Sequence, residues 1–429
     1  SIIFQETSLF EEMTVLDNLF LGHEMTKKAG IIKVLDYSAM RKEAERIFQR
    51  LNTKISLDAQ IKTLGMAQKQ MVEIAKALAA NAKVLIMDEP TAVLTPQEIK
   101  KLFRVIRNMK EQGCSVVIIT HKLNEVMEIS DRVTVLRKGE SIGTVNTDEV
   151  NVASLIEMMV GKKVDLSIDK KKIAEKTPLL DLDEVTVLDG EGKEALANVS
   201  FQLNSHEIVG VAGVANSGQK ELCEVIAGLA KAEKGRIFFE GDNLVGKTPR
   251  DIIRLGIRMG FIPEDRLGMG LVGSMDIVHN LILKDYQNQP GIVLRRGPCI
   301  KKANKIVKDL DIQTPDIYTP VKKLSGGNVQ KVLLGREIDS APKVLITAYA
   351  VRGLDIGASY KIYDLLNEQK EKGVGVLFVG EDLDVLMDLC DRIIVLCHGE
   401  ITGIVDPDEV TKEDIGLLMT GKKAQEVDE

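Results

Sequence analysis

The sequence predicts an α/β protein of two tandem lobes, each with a mostly parallel sheet core and a helical subdomain. Two observations carry this. Stretches of more than a hundred residues repeat at a constant separation of 260 positions: Leu64 answers to Leu324, Val84-Leu85-Ile86 to Val344-Leu345-Ile346, Asp131-Arg132 to Asp391-Arg392, and Gly139-Glu140 to Gly399-Glu400. A fixed separation held across so many pairs is the mark of a tandem duplication. Within each copy, short β-branched runs alternate with amphipathic helical stretches, the pattern of a parallel sheet covered by helices.

Composition sets the outer bounds. The 429 residues are 44% hydrophobic and 28% charged, ordinary proportions for a globular protein with sizeable cores. A net charge of −7, spread along the chain, leaves no broad basic surface for nucleic acid. With aromatics at only 4% and no Trp, a base-stacking platform is also disfavoured. The five cysteines have neither metal-ligand spacing nor a disulfide framework, and read as small buried hydrophobes. No apolar run approaches the roughly 20 residues that cross a bilayer, and no secretory signal opens the chain.

Taken in order, residues 1–163 form the first lobe. Val84–Met87, Val116–Thr120 and Val133–Leu136 read as buried strands. Pro96–Gln112 reads as a helix, with Ile99, Leu102, Phe103 and Ile106 on one face. Residues 164–178 are rich in Lys and Asp and read as a linker, in which Lys170-Lys171-Lys172 is a solvated run. Residues 179–429 form the second lobe, which repeats the pattern with Val344–Thr347, Val376–Val379 and Ile393–Leu396. Arg41–Ala80 and Pro298–Ser340 are mainly helical and read as a side subdomain in each lobe. Leu179–Phe201 and Ile208–Ala212 supply opening strands that the first lobe lacks. Gln5 aligns with Glu264, so roughly 80 residues of a first-lobe counterpart are missing and the chain reads as part of a longer one.

The chemistry is kept in one copy. An apolar strand ends in Asp88-Glu89-Pro90-Thr91, whereas the aligned positions in the second lobe are Ala348 and Tyr349. Two acids at a strand's C-terminal end suit Mg²⁺-assisted hydrolysis of a nucleoside triphosphate: Asp88 would hold the hydrated metal and Glu89 would polarise the attacking water. A helix cap would look similar at this point. The next strand leads into His121, and adjacent parallel strand ends lie together, so His121 is placed to reach the same phosphate. Its aligned residue is Glu381. In the second lobe Leu324-Ser325-Gly326-Gly327-Asn328 opens a helical stretch, offering a hydroxyl, free N–H groups and the positive end of the helix dipole to a phosphate.

Together Gln5, Asp88-Glu89-Pro90, His121 and Leu324-Ser325-Gly326-Gly327-Asn328 resemble the Q-loop, Walker B, H-loop and signature motif of ABC-type ATPases. The tandem arrangement resembles the ATPase subunits of bacterial simple-sugar and nucleoside importers, and Thr91–Glu98 with Ile262–Arg266 looks most like the nucleoside branch. The resemblance implies two P-loop NTPase lobes with ATP and Mg²⁺ shared between them. One composite site takes Gln5, Asp88, Glu89 and His121 from the first lobe, and Ser325, Gly326, Gly327, Asn328 and the D-loop Asp355 from the second. Asp88 and Gln5 are then the metal-site residues, and Glu89, His121 and Gln5 the catalytic ones. The other site takes the Walker A stretch Gly213, Asn216, Ser217, Gly218, Gln219 and Lys220, with Gln219 where the phosphate lysine belongs and Lys220 where the Mg²⁺-binding hydroxyl belongs. Its first-lobe parts are also altered, with Gly65 at the signature serine position and Thr95 at the D-loop aspartate. No aromatic lies between Leu179 and Ser200 to stack on adenine. Every substitution falls on one site, so the expectation is one hydrolytic and one silent site.

The resemblance also implies permease subunits as direct partners, a solute-binding protein as an indirect one, no nucleic acid, and a peripheral place on the cytoplasmic face of the membrane. With no first Walker A, this chain alone is expected to hydrolyse ATP negligibly. Two other readings are a soluble tandem ATPase acting on ribosomes or DNA, and a non-catalytic remnant of a transporter ATPase.

Overall fold

The structure is a computed structural model. It describes all residues except 5–7, 30–31, 52, 81, 92–93, 121, 138, 162–167, 169, 172, 174, 255–258, 264, 285, 287–295, 353, 355 and 422–429. The chain divides into two compact units, Ser1–Lys163 and Val164–Glu429.

In the second unit, near-continuous apolar runs give strands buried on both faces. Met259–Ile262, Val344–Ala348, Gly375–Val379, Glu207–Gly213 and Arg392–Cys397 pair in parallel in that spatial order, and Glu400–Val405 closes the edge as an antiparallel hairpin. Successive residues feed opposite cores. Leu345 packs with the helical side, including Val332, Leu333 and Ile362, while Val344 and Ile346 pack with Leu222, Val225 and Ile226 of helix Gln219–Ile226. That second core is shared with an antiparallel sheet built on Pro178–Leu188, Glu194–Asn204 and Lys234–Phe239.

The first unit repeats these elements with one face missing. Ile2–Ile3, Val84–Asp88 and Ser115–Ile119 make a three-stranded parallel sheet, and Arg132–Arg137 with Glu140–Asn146 forms a separate hairpin. Leu85 and Met87 are fully buried against Leu102, Phe103 and Ile106 of helix Pro96–Glu111, each worth about 2–3 kcal/mol of transfer free energy. The reading of Val116–Thr120 and Val133–Leu136 as buried strands is corrected here, because both alternate. Val117, Ile119 and Leu136 are exposed, the last at 70%. In the second unit the equivalents are covered because Glu207–Gly213 lies between Gly375–Val379 and Arg392–Cys397, beneath the helix and antiparallel sheet just described. No described residue of the first unit takes those places.

The helical subdomains match. Tyr37–Arg50 and Met66–Ala79 correspond to Arg296–Asp309 and Gly326–Asp339. The connector reading needs one change. Ile168 packs on the second unit's core, and Lys170, only 12% exposed, pairs with Asp408 at 3.3 Å. Lys171 meets Glu371 at 2.7 Å and Lys176 meets Glu207 at 3.3 Å. Fixed carboxylates partner these amines, so Lys170 is an anchor and not a solvated charge. All five cysteines are free and buried, and burial pushes the Cys223 thiol up to about 12. No described helix is long and apolar enough to cross a membrane.

Candidate functional site

In the first unit Val84–Asp88 runs alongside Ser115–Ile119, with Asp88 level with Ile119. Glu89 then turns into the left-handed region at φ 45°, and its N–H donates to the Ile119 carbonyl at 2.8 Å. The acid pair therefore sits at the C-terminal edge of the sheet, where open parallel sheets bind ligands. Among the described residues, the Asp88 carboxylate has neither a hydrogen-bond nor an ion-pair partner. His121 follows the neighbouring strand, and like Gln5 and Asp355 it lies outside the described residues.

Three polar side chains brace the turn after the acids. Thr91 is 2% exposed and donates to Glu125 Oε2 at 2.6 Å. Lys122 donates to the Thr91 carbonyl at 3.3 Å and meets Glu125 Oε1 at 3.5 Å. Thr91 stands within the strand-end motif, but Lys122 and Glu125 belong to no motif, although the repeat contained the signal: the positions aligned with all three are Val351, Asp382 and Val385, which cannot form the set. Thr95 serves its own helix, exchanging side-chain hydrogen bonds with Glu98 at the head of Pro96–Glu111.

In the second unit, Ser325 caps helix Gly326–Asp339, and Asn328 donates to its Oγ at 2.9 Å. Gly326 abuts the Arg266 guanidinium, whose pKa burial lowers, and a Cβ there would lie 3.3 Å from Nη1. Ser325, Gly326, Gly327 and Asn328 thus share one turn at a helix N-terminus, the first two exposed and the last two half-buried. The strand-end acids are replaced by packing: Ala348 is buried, Tyr349 lies against the same apolar cluster, and Glu381 pairs with Arg352 at 3.7 Å. Gly213 through Gly218 form the loop between strand Glu207–Gly213 and helix Gln219–Ile226. Gln219 folds into that loop, donating to the Val214 carbonyl at 3.0 Å and accepting from the Ser217 N–H at 3.2 Å. Lys220 turns outward toward Glu224 at 3.9 Å.

The sequence profile described as ABC transporter matches residues 1–92 and 196–347, more than half of the chain. The chain belongs to the ABC transporter family. Within this family it is 38% identical over 427 residues to the ribose import ATP-binding protein RbsA 1 of Rubrobacter xylanophilus, and 40% identical over 428 residues to the guanosine import ATP-binding protein NupO of Bacillus subtilis. The nucleoside import ATP-binding protein NupA of Lactococcus lactis is 35% identical over 428 residues. Each alignment covers 99% of this chain and 83% of the relative. Sugar and nucleoside relatives thus stand side by side, as the resemblance implied. For an ABC transporter chain, the bracing of Thr91 by Glu125 and the loop-filling by Gln219 are features that motif reading alone did not find.

Proposed function

We propose that this chain is the ATP-binding and ATP-hydrolysing subunit of an importer for nucleosides or simple sugars. The observation that carries this is similarity over nearly the whole chain to import ATP-binding proteins, joined to an acid pair at a strand end in one lobe only. Asp88 and Glu89 are the hydrolytic groups of the first lobe, and Ser325, Gly326, Gly327 and Asn328 form a phosphate-binding turn of the second by motif. Gln5, His121 and Asp355 are further site residues by motif.

Glu89 accepts a proton from, and so polarises, the attacking water, and its backbone hydrogen bond to Ile119 holds the turn that carries it. His121 contacts the terminal phosphate. The Ser325 hydroxyl and the N–H groups of Gly326 and Gly327 offer donors to the phosphate oxygens. Asp88 fits a magnesium ion: a hard oxygen donor with no ion-pair partner among the described residues suits a metal that keeps most of its water and takes one or two carboxylates. When bound, magnesium neutralises charge on the transferred phosphoryl group. By motif, Gln5 is the second residue assigned to the metal. In the second lobe, Ala348, Tyr349 and Glu381 supply none of these groups, so that lobe's own site is silent.

The partners are permease subunits in the membrane, with a solute-binding protein acting through them, and the chain is peripheral on the cytoplasmic face. An acidic balance of −7 supports a partner other than nucleic acid. Purification with the permease, followed by assay of ATP turnover and solute uptake, tests this. Glu89→Gln abolishes both on this reading. Unchanged turnover in that variant would sink it.

A further inference from the structure

The loop 213–220 has lost its lysine, yet it is not an empty cradle. Gln219 is 3% exposed and lies inside it. Its Nε2 donates to the Val214 carbonyl at 3.0 Å, and its Oε1 accepts from the Ser217 N–H at 3.2 Å, an N–H it shares with the Val214 carbonyl at 3.2 Å. Gly213 makes the room, since a Cβ there would stand 2.5 Å from Gln219 Nε2 and 2.7 Å from the Leu396 carbonyl. Ser217 is 1% exposed and its Oγ is buried without a partner, a measure of how far the loop has closed on itself.

The chemistry of the replacement matters more than the loss of charge. A lysine has three donors and no acceptor, so it leaves the loop's N–H groups open to a phosphate. A carboxamide carries an acceptor as well, and here that acceptor takes an N–H of the kind a phosphate oxygen would use. Lobe one repeats the device at its altered signature turn. There Gln68 Oε1 accepts from the Gly65 N–H at 3.2 Å, at the head of helix Met66–Ala79. The aligned Asn328 instead donates to the Ser325 hydroxyl and accepts from the Gln313 N–H at 2.9 Å. In each of the two turns assigned to the silent site by motif, a glutamine side chain accepts one backbone N–H.

We propose that Gln219 is a built-in stopper whose carboxamide occupies the phosphate seat of the second lobe, so that this loop is closed to nucleotide and not merely weakened. The proposal rests on reading 213–220 as a phosphate loop. It does not depend on what the importer carries or on whether the first lobe hydrolyses ATP.

The full chain is titrated with pyrophosphate and with ADP by calorimetry, while amide exchange is followed in peptides spanning Ser217. In wild type the Ser217 amide exchanges slowly and neither ligand adds protection there, whatever binds at the first lobe. Gln219→Ala removes one of the two acceptors of that N–H and empties the loop, so exchange at Ser217 speeds up and pyrophosphate binds at least about tenfold tighter than to wild type, with renewed protection at Ser217. Gln219→Met, which keeps the length but has no polar group, behaves the same way and guards against a folding defect in the alanine variant. Wild-type binding that protects Ser217 overturns the proposal. So does a failure of both variants to bind more tightly than wild type. Loss of transport coupling in a separate assay would leave these readouts untouched.

Discussion

Glu89 and Tyr349 stand 260 positions apart and share one backbone geometry. Their φ angles are 45° and 52°, and their N–H groups donate to Ile119 at 2.8 Å and Val379 at 3.0 Å, carbonyls that are themselves 260 positions apart. A left-handed non-glycine residue costs on the order of 1–2 kcal/mol, so the duplicated fold has kept a strained turn after losing the carboxylate it presents. Glu89→Gln is expected to lower ATP turnover of the assembled importer by roughly 10²–10⁴-fold while leaving nucleotide binding in place. Tyr349→Glu is expected to add no turnover, because Ala348 and Glu381 still lack the neighbouring groups. Steady-state ATPase assays paired with nucleotide-binding titrations check both.

The Thr91–Glu125 hydrogen bond predicts a positioning effect. Thr91→Val leaves Glu125 without its hydroxyl donor at 2.6 Å and frees the turn behind the acids. In the importer, kcat should fall about tenfold with KM for ATP little changed, and Thr91→Ser should restore most of it. A parallel rise in KM, or equal loss in the serine variant, would speak for a general folding role.

Glu207 ties the second lobe's central strand to its surroundings. Burial pushes its carboxyl up, but Arg392 at 2.8 Å, the Asn204 N–H and Lys176 together hold it below its ordinary value of 4.5. A group depressed on folding stabilises fully above the unfolded value and loses that contribution as pH falls through the folded one. Glu207→Gln should therefore cost about 3 kcal/mol at neutral pH and flatten the acid limb of the stability curve. Urea midpoints taken from pH 7 down to about pH 3 read this directly.

Much of this was legible in the residues because duplication doubles every local signal. The strand at Val84 and the helix at Pro96 are each confirmed by a partner 260 positions on, and Ser325 falls at a helix head as its Ser-Gly-Gly setting requires. What escaped was made of side-chain direction and long separation. Thr91 meets Glu125 across 34 positions, and no motif marks Glu125 as its partner. Gln219 reads as a missing lysine until its carboxamide is seen turned back on the loop. Strand alternation at Val117 and Ile119 was overlooked because a β-branched run looks the same whether one face or two are covered. Lys170 looked solvated because its partner, Asp408, lies 238 residues away.

The burial of every cysteine gives the molecule a blank background for chemistry. Sulfhydryl reagents acting on the native fold should find none of the five within easy reach, and Cys223 stays protonated at working pH. A single cysteine placed on an exposed face would then report alone, carrying a fluorophore or spin label without stripping the natural five.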